Sequence, residues 1–373
     1  MKGLVTAARI ITGVLFIFSG LVKAIDPRGL AYKMEEFFEA WAHSDIMPSF
    51  MALLSEYSLS FSLIMITLEV VVGVALLIGF QKKITTWILL LLILFFTFLT
   101  SYVLFSGKIR ACGCFGDCIP LTPIQTFSKD IILLILALLL LIKREYILPL
   151  FKPFLLWLCI IIATVLTIML QFHVLKNLPI TDCLPYKKGN NILELRKMPE
   201  NAVQDKFEYV FVYEKNGEKK EFPVTALPDS TWSFAERKQT LVEKGKNNIP
   251  LINDFSLSDA DGNNVTDSIL GNSGEYYLFF WREISDNTSN WISQFKLSTS
   301  HAAAQSKKIF VVTSQRSAVE GILQSLKIEV DGVLTSDATA IKTAARANPT
   351  MFKMKGPVVQ EKWSWANLHK ANR

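Results

Sequence analysis

Three cysteines stand close together in the segment RACGCFGDC, residues 110–118, between two long apolar stretches. Thiols at this spacing allow four interpretations: a redox group that exchanges disulfides, a metal or iron–sulfur site, a fixed structural disulfide, or a chance cluster. Zinc sites usually need a second ligand pair, and none lies nearby in the chain. A bond within Cys112-Gly113-Cys114 would close a small, easily reduced ring, which favours redox exchange.

The chain has five cysteines, and the other two lie elsewhere. Cys159 lies within an apolar stretch, where a thiol usually serves as a small apolar filler. Cys183 follows the last apolar stretch and is predicted to act as a resolving thiol. We predict Cys112, Cys114 and Cys118 as the catalytic thiols, with at least two of them close enough to bond, and we predict no metal.

One carboxylate, Glu69, lies within an apolar stretch, where a charge is costly unless it faces a bundle interior or water. One interpretation makes Glu69 a proton acceptor or part of a quinone site, together with Arg9 and Lys23. The other makes it a partner of Lys23 or Arg9 in an ion pair inside the bundle.

Five apolar stretches must position these residues, and about 20 apolar residues suffice to cross a bilayer. Their predicted bounds are 4–25, 59–80, 84–104, 131–142 with flanking residues, and 148–172. Short connections make neighbours antiparallel, which predicts a four-helix bundle over residues 1–147 and a fifth span over 148–172. The start of the chain is read as a retained signal-anchor, and residues 30–58 as an amphipathic helix at the membrane interface.

The orientation follows from basic residues in the two shortest loops, Lys82–Lys83 and Lys143–Arg144. Because cytoplasmic loops are enriched in lysine and arginine, the amino terminus is predicted to be cytoplasmic. Five spans then place the cysteine loop and the carboxy-terminal domain in the periplasm. The expected location is a bacterial inner membrane, with membrane lipid as a constant partner.

Charged residues are sparse up to residue 172 and dense after it, which predicts a water-soluble second half. The net charge of +6 is spread over both halves without a long basic run, so no nucleic-acid partner is expected. Residues 173–248 read as a connector with a β-hairpin over 207–224. From residue 249, strands alternate with helices to residue 373, which indicates an α/β domain with helices on both sheet faces.

The first four spans resemble the DoxX/MauE family of four-helix membrane proteins. The matching features are Arg9 with Gly13, FSGLVK at 18–23 with DP at 26–27, Glu69 with Gly73, the CGCFGD stretch, and SKD at 128–130. MauE-type members are implicated in maturing a disulfide-rich periplasmic subunit, and the bundle is similar to that of quinone-linked disulfide oxidases. The resemblance implies envelope redox chemistry and makes a quinone the candidate cofactor. The spacing C-x-C-x-x-x-C departs from the usual C-x-x-C.

Residues 249–369 resemble the thioredoxin superfamily in its peroxiredoxin-like or TlpA-like branch. The matching segments are INDFSL at 252–257, YYLFFW at 276–281 and NPTMF at 348–352. The resemblance implies a cis peptide bond before Pro349, beside the strand that ends near Trp281. Ser285 and Thr288 stand where active members have two cysteines, so this vestigial site has no thiol chemistry. A groove beside the proline that binds an extended peptide can survive this loss.

Two functions remain open at this stage. In the first, the cysteine loop exchanges disulfides at the outer membrane face, electrons pass to a quinone, and the thioredoxin-like domain presents an envelope client. In the second, the protein is a non-enzymatic assembly or scaffolding subunit of an envelope complex, with the cysteines as a staple.

Overall fold

The computed structural model describes residues 1–43, 47–107, 109, 113, 116–215, 217–243, 245 and 247–372. Within these residues, five helices are long and apolar enough to cross a membrane. The helices of the first half are α1 (Lys2–Ala24), α2 (Pro27–Ala42), α3 (Pro48–Glu56), α4 (Ser58–Ile78), α5 (Lys82–Ser106), α6 (Pro123–Ile142) and α7 (Pro153–Lys176). The five predicted spans are confirmed as α1, α4, α5, α6 and α7.

Helices α1, α4, α5 and α6 form the predicted four-helix bundle, and α7 packs mainly against α4. Close approach of α1 and α4 depends on Gly13 and Gly73, because a Cβ on Gly73 would lie 2.9 Å from the Gly13 carbonyl oxygen. The helices alternate in direction. The chain therefore enters the bundle at one end and leaves α7 at the other, where residues 116–122 also lie.

The segment after α1 forms two helices, where the sequence predicted one helix over residues 30–58. Helix α2 buries an apolar face that includes Met34, Phe37 and Phe38. Its opposite face carries Tyr32 and Glu35, which contact the soluble domain. Helix α2 therefore lies between the bundle and that domain, in addition to being amphipathic as predicted.

The soluble half continues with α8 (Ile192–Leu195), β1 (Lys206–Lys215), β2 (Glu218–Pro223), β3 (Ser233–Glu243), α9 (Thr266–Leu270), β4 (Glu275–Phe280), α10 (Ile292–Ala304), β5 (Lys308–Thr313), α11 (Arg316–Ser325), β6 (Gly332–Thr335), α12 (Ala338–Ala344), β7 (Thr350–Lys355) and β8 (Val358–Ser364). Five of these strands form one sheet in the order β6-β5-β4-β7-β8. Strands β4, β5 and β6 are parallel, whereas β7 and β8 are antiparallel. Helices α8, α9 and α12 cover one face of the sheet, and α10 and α11 cover the other. This is the predicted thioredoxin-like arrangement.

The predicted domain boundary at residue 249 is too late. Tyr186 and Ile192 are fully buried in the same core as Phe255 and Phe280, so the segment just after α7 belongs to the thioredoxin-like domain. A separate sheet, β2-β1-β3, interrupts that domain. The hairpin of β1 and β2 was predicted, but β3 was not, because its central residues, Glu236–Gln239, are all polar. Asn216, in the predicted turn, lies outside the described residues.

Candidate functional site at the junction of the two domains

A disulfide bond joins the membrane loop to the soluble domain. Cys118, between α5 and α6, is bonded to Cys183, just beyond α7, with their Cα atoms 4.9 Å apart. Cys118 and Cys183 were predicted in separate roles, as a loop thiol and a resolving thiol, and the structure brings them together. Cys112 and Cys114 lie outside the described residues. Their predicted convergence with Cys118 therefore stays a prediction.

Each bonded cysteine follows an aspartate that pairs with a cation of the thioredoxin-like domain. Asp117 accepts a hydrogen bond from Arg346 Nη2 at 2.7 Å, and Asp182 accepts one from Lys362 Nζ at 2.7 Å. Burial lowers the pKa of Lys362 below its ordinary value, although Asp182 opposes the shift. The two ion pairs fix both ends of the disulfide against the domain and neutralise the carboxylates beside it.

Arg346 makes a second ion pair, with the residue that begins α2. Asp26 accepts hydrogen bonds from Gly29 N–H, as the N-cap of α2, and from Arg346 Nε at 2.8 Å. The helix begins here for two reasons. The Asp26 side chain accepts a hydrogen bond from a backbone N–H of the first turn that has no partner within the helix, and the backbone angle of Pro27 already suits the first helical position. Burial alone would lower the pKa of Arg346, but the carboxylates of Asp26 and Asp117 outweigh it, and the net shift is upward.

Three cations of the soluble domain surround the ring of Tyr32 on α2. The guanidinium of Arg346 lies 5.3 Å from the ring centre, Lys342 Nζ lies 5.5 Å from it, and the guanidinium of Arg282 lies 6.0 Å from it. Arg282 also donates a hydrogen bond to the Tyr32 hydroxyl, and Lys342 pairs with Glu35 at 2.8 Å. Cations over an aromatic face are attracted to it, so the Tyr32 ring and the Glu35 carboxylate of α2 both hold the domain.

The docked surface is the one where an active thioredoxin-like protein carries its thiols. The Asn348–Pro349 bond is cis, as predicted. The Asn348 side chain accepts a hydrogen bond from Arg282 N–H at 3.0 Å and donates one to the Glu283 carbonyl at 2.7 Å, which places the proline beside the end of β4. Thr288 Oγ1 donates to the Ser285 carbonyl at 2.7 Å. These hydroxyls form a local turn and provide no redox group.

A cleft of about 770 Å³ opens between α2, the disulfide segment and α12. Glu39, Asp117, Cys183 and Lys342 line it, together with Tyr32 and other charged residues of α2. Of the two bonded cysteines, Cys183 is the one that belongs to the described lining of the cleft. The cleft is large enough for an extended peptide segment, and it has charges of both signs on its walls.

The predicted membrane residues Lys23 and Glu69 form a buried ion pair with an N–O distance of 2.6 Å, and only 2% and 4% of their side chains are exposed. Lys129 and Asp130 form a second pair at 2.8 Å, and Asp130 accepts a hydrogen bond from Thr100. Both pairs line a cavity of about 20 Å³. Such a cavity holds one water molecule and is far too small for a quinone ring, so these residues do not fit the predicted quinone.

Arg9 lies at the other end of the bundle, although the sequence grouped it with Glu69 and Lys23. It donates hydrogen bonds to the carbonyls of Leu76, Leu77 and Leu148 at 2.8, 2.6 and 3.0 Å. Leu76 and Leu77 lie in the last turn of α4, whose carbonyls have no partner within the helix. Arg9 therefore caps α4. It lies 14 residues of helix from Lys23, or about 21 Å at 1.5 Å per residue, so it takes no part in the Lys23–Glu69 and Lys129–Asp130 ion pairs.

Sequence reasoning missed the residues that dock the two domains, chiefly Tyr32, Arg282 and Arg346. A signal for two of them was present. Arg282 directly follows the strand that leads to the thioredoxin site, and Arg346 stands three residues before the cis-proline. Basic residues at both edges of a site without thiols indicate a docking surface, and helix α2 supplies the acidic and aromatic counterpart.

Comparison with known proteins gives relatives for both halves. Residues 1–143 match the family described as methylamine utilisation protein MauE, and residues 207–244 match a domain of unknown function, DUF8463. A stretch of 79 residues is 42% identical to protein TlpB of Flavobacterium psychrophilum, covering 20% of this chain and 22% of that relative. StoA of Bacillus subtilis aligns at 14% identity over 32% of this chain and 96% of its own, with a TM-score of 0.25. The chain is therefore similar to the MauE family over residues 1–143, and it spans about a fifth of the length of the curated relative that it matches.

Proposed function

We propose that this protein carries out thiol–disulfide exchange at a membrane surface through the Cys118–Cys183 bond. The observation that supports this most is the placement of the bond, which joins a membrane loop to the soluble domain and presents Cys183 to the cleft. Cys183 is partly exposed and lines the cleft, so a client thiol that enters the cleft would lie beside the bond. The client is a cysteine-containing envelope protein whose extended segment enters the cleft.

The proposed reaction begins with a client thiolate. It attacks Cys183 Sγ, the Cys118–Cys183 bond breaks, and Cys118 leaves as a thiolate. A second client thiolate then attacks the client sulfur of the mixed disulfide. The client gains a disulfide and loses two electrons, and Cys118 and Cys183 become a dithiol. The reverse sequence reduces a client disulfide.

The neighbouring charges support this exchange. A thiolate is stabilised by cations and opposed by carboxylates. Asp117 and Asp182 would oppose it, but Arg346 and Lys362 pair with them. Cys112 and Cys114 stand six and four residues before Cys118 in the chain. In this proposal they are the next thiols of a relay and exchange with Cys118 in the same balanced way.

The proposed location is the bacterial inner membrane, with the amino terminus in the cytoplasm and the thioredoxin-like domain in the periplasm. The five helices place residues 79–81 and the soluble domain at opposite ends of the bundle. Reporter fusions at Gln81 and at Lys215 should therefore give opposite signals, cytoplasmic at Gln81 and periplasmic at Lys215. Identical signals would contradict the five-span arrangement, and opposite signals with the reverse signs would contradict the orientation.

The exchange proposal is tested by trapping. In a Cys118→Ala variant, the Cys183 thiolate can still attack a client disulfide in the reverse reaction, but the Cys118 thiolate that would then attack the mixed disulfide and release the reduced client is gone. We expect reductant-sensitive adducts of higher mass to accumulate on this variant in cells. They should be measured on non-reducing gels after acid quenching and alkylation, and the bound clients identified by mass spectrometry.

Two controls make the trapping result specific. Cys183→Ala should trap less, because Cys118 is not among the described residues that line the cleft. Cys159→Ala should trap nothing new, since Cys159 lies within α7 and leaves the disulfide intact. Equal adducts on all three variants, or none on a Cys118→Ala protein that still resists proteolysis, would show that the bond does not exchange.

A second function, a non-enzymatic assembly or scaffolding subunit, is favoured by one observation. Ser285 and Thr288 replace the thioredoxin thiols, and the nearby Arg282 is bound to Tyr32 of α2. The two functions differ in the reduction potential of the Cys118–Cys183 bond. Structural disulfides have potentials below about −300 mV, whereas exchanging pairs lie between about −270 and −120 mV.

A further inference from the structure

A groove of about 390 Å³ lies between α4 and α7, and neither Lys23 nor Glu69 is among the described residues that line it. Its walls are mainly apolar and include Leu63, Ile64 and Ile168, and Ile64 is 60% exposed on the lipid-facing surface. Three polar residues also line the groove, namely Ser60 near the start of α4, Thr67 of α4 and Gln171 of α7. The groove is therefore open to hydrocarbon, and Thr67 and Gln171 form one polar position within it.

The hydrogen bonds at this position leave an acceptor unused. Thr67 Oγ1 donates its only hydrogen to the Leu63 carbonyl at 2.8 Å. It can then only accept from Gln171, whose Nε2 lies 2.9 Å away. This fixes the orientation of the amide and leaves Gln171 Oε1 buried without a donor, on a residue that is 1% exposed. A buried acceptor without a donor is costly, most of all where no water is available.

The depth of the position restricts what can supply the donor. Gln171 lies five residues from the end of α7, and Thr67 lies nine residues from the start of α4. At 1.5 Å per residue, the position is about 8 to 14 Å below the helix ends. A charged phospholipid headgroup at this depth would lose its hydration. A small uncharged hydroxyl on a hydrocarbon chain loses far less, and a hydrogen bond to a buried acceptor offsets that loss.

We propose that the groove between α4 and α7 binds a membrane lipid whose small, uncharged headgroup donates a hydroxyl hydrogen bond to Gln171 Oε1. The hydrocarbon chain occupies the apolar walls, and the hydroxyl supplies the missing donor. A ligand that carries only carbonyl groups does not satisfy this acceptor. The proposal is independent of disulfide exchange, because it rests on neither the cysteines nor the cleft.

The test uses the full chain in detergent and a pair of matched probes, geranylgeraniol and its methyl ether, in which a methyl group replaces the donor hydrogen. We expect the alcohol to bind about ten-fold more tightly, from the typical cost of leaving a buried acceptor without a donor. Ubiquinone-2, which has carbonyls and no hydroxyl, should bind no better than the ether. Binding is measured by retention of radiolabelled geranylgeraniol on the immobilised protein, with the other probes as competitors.

Gln171→Leu should abolish the preference for the alcohol and leave binding of the ether unchanged. The control is Thr164→Val, because Thr164 bonds only within α7, to the Ile160 carbonyl, and should keep the preference. Equal binding of alcohol and ether to the unmodified protein would overturn the proposal. So would a preference that survives Gln171→Leu, or retention that does not saturate.

Discussion

Replacing Glu69 by leucine is expected to lower the free energy of unfolding by about 3 kcal/mol or more, the typical cost of breaking a buried ion pair. The reason is that Lys23, which is 2% exposed, would remain in the bundle without its carboxylate. Its remaining described contacts are the Ser19 hydroxyl at 3.2 Å and the ring of Phe96 at 4.5 Å. The change is measured on the purified protein in mixed micelles, by titration with a denaturing detergent.

The matched experiment removes both charges. A Lys23→Met, Glu69→Leu double variant should recover most of the lost stability, because a buried ion pair can often be replaced by apolar residues at little cost. Lys82→Met, which removes an exposed lysine at the start of α5, is the control and should change stability by less than about 0.5 kcal/mol. If Glu69→Leu alone is as stable as the unmodified protein, Lys23 is not held by Glu69 in the bundle.

Replacing Arg346 by methionine is expected to loosen the thioredoxin-like domain from the membrane region and expose the disulfide. The substitution removes ion pairs with Asp26 and Asp117 and a contact with the ring of Tyr32. Asp26 is largely buried and Asp117 is partly exposed, so the docked state should lose about 2 kcal/mol. That loss corresponds to about thirty-fold more of the opened state.

The measurement is the rate at which dithiothreitol reduces the Cys118–Cys183 bond in the full chain. If reduction requires local opening, the rate should rise by the same factor as the opened state. Arg316→Met is the control, because Arg316 pairs with Glu320 on the surface helix α11 and should leave the rate unchanged. An unchanged rate in Arg346→Met would mean that the disulfide is reached without undocking of the domain.

The elements of this protein were predictable from sequence because each carries its own local signal. The spans are long apolar runs. Strand β4, Glu275–Phe280, was predicted as a buried strand because five of its six residues are apolar. The cis-proline position followed from the resemblance of the NPTMF segment. In contrast, β3 has no apolar alternation at its centre, so its place in a sheet depends on pairing with β1.

The arrangement of the site could not be predicted, because it joins segments that are far apart in the chain. Cys118 and Cys183 are separated by 65 residues, and Arg346 lies 320 residues from Asp26. Local patterns contain no information on such pairs. The same limit explains Arg9, which was grouped with Glu69 because both are charged residues in apolar spans. The direction and length of α1 place it at the opposite end of the bundle.

The Cys118–Cys183 bond closes a covalent ring that contains two complete membrane crossings, α6 and α7. Its two sulfurs start on either side of a hairpin that has to pass through the bilayer and back. They can meet only in a chain whose helices α6 and α7 are paired antiparallel, with residues 118 and 183 at the same end of the bundle. A chain in which this bond has formed has therefore brought both ends of the α6–α7 pair together, whereas a reduced chain is either not yet assembled or in the dithiol state of the proposed exchange.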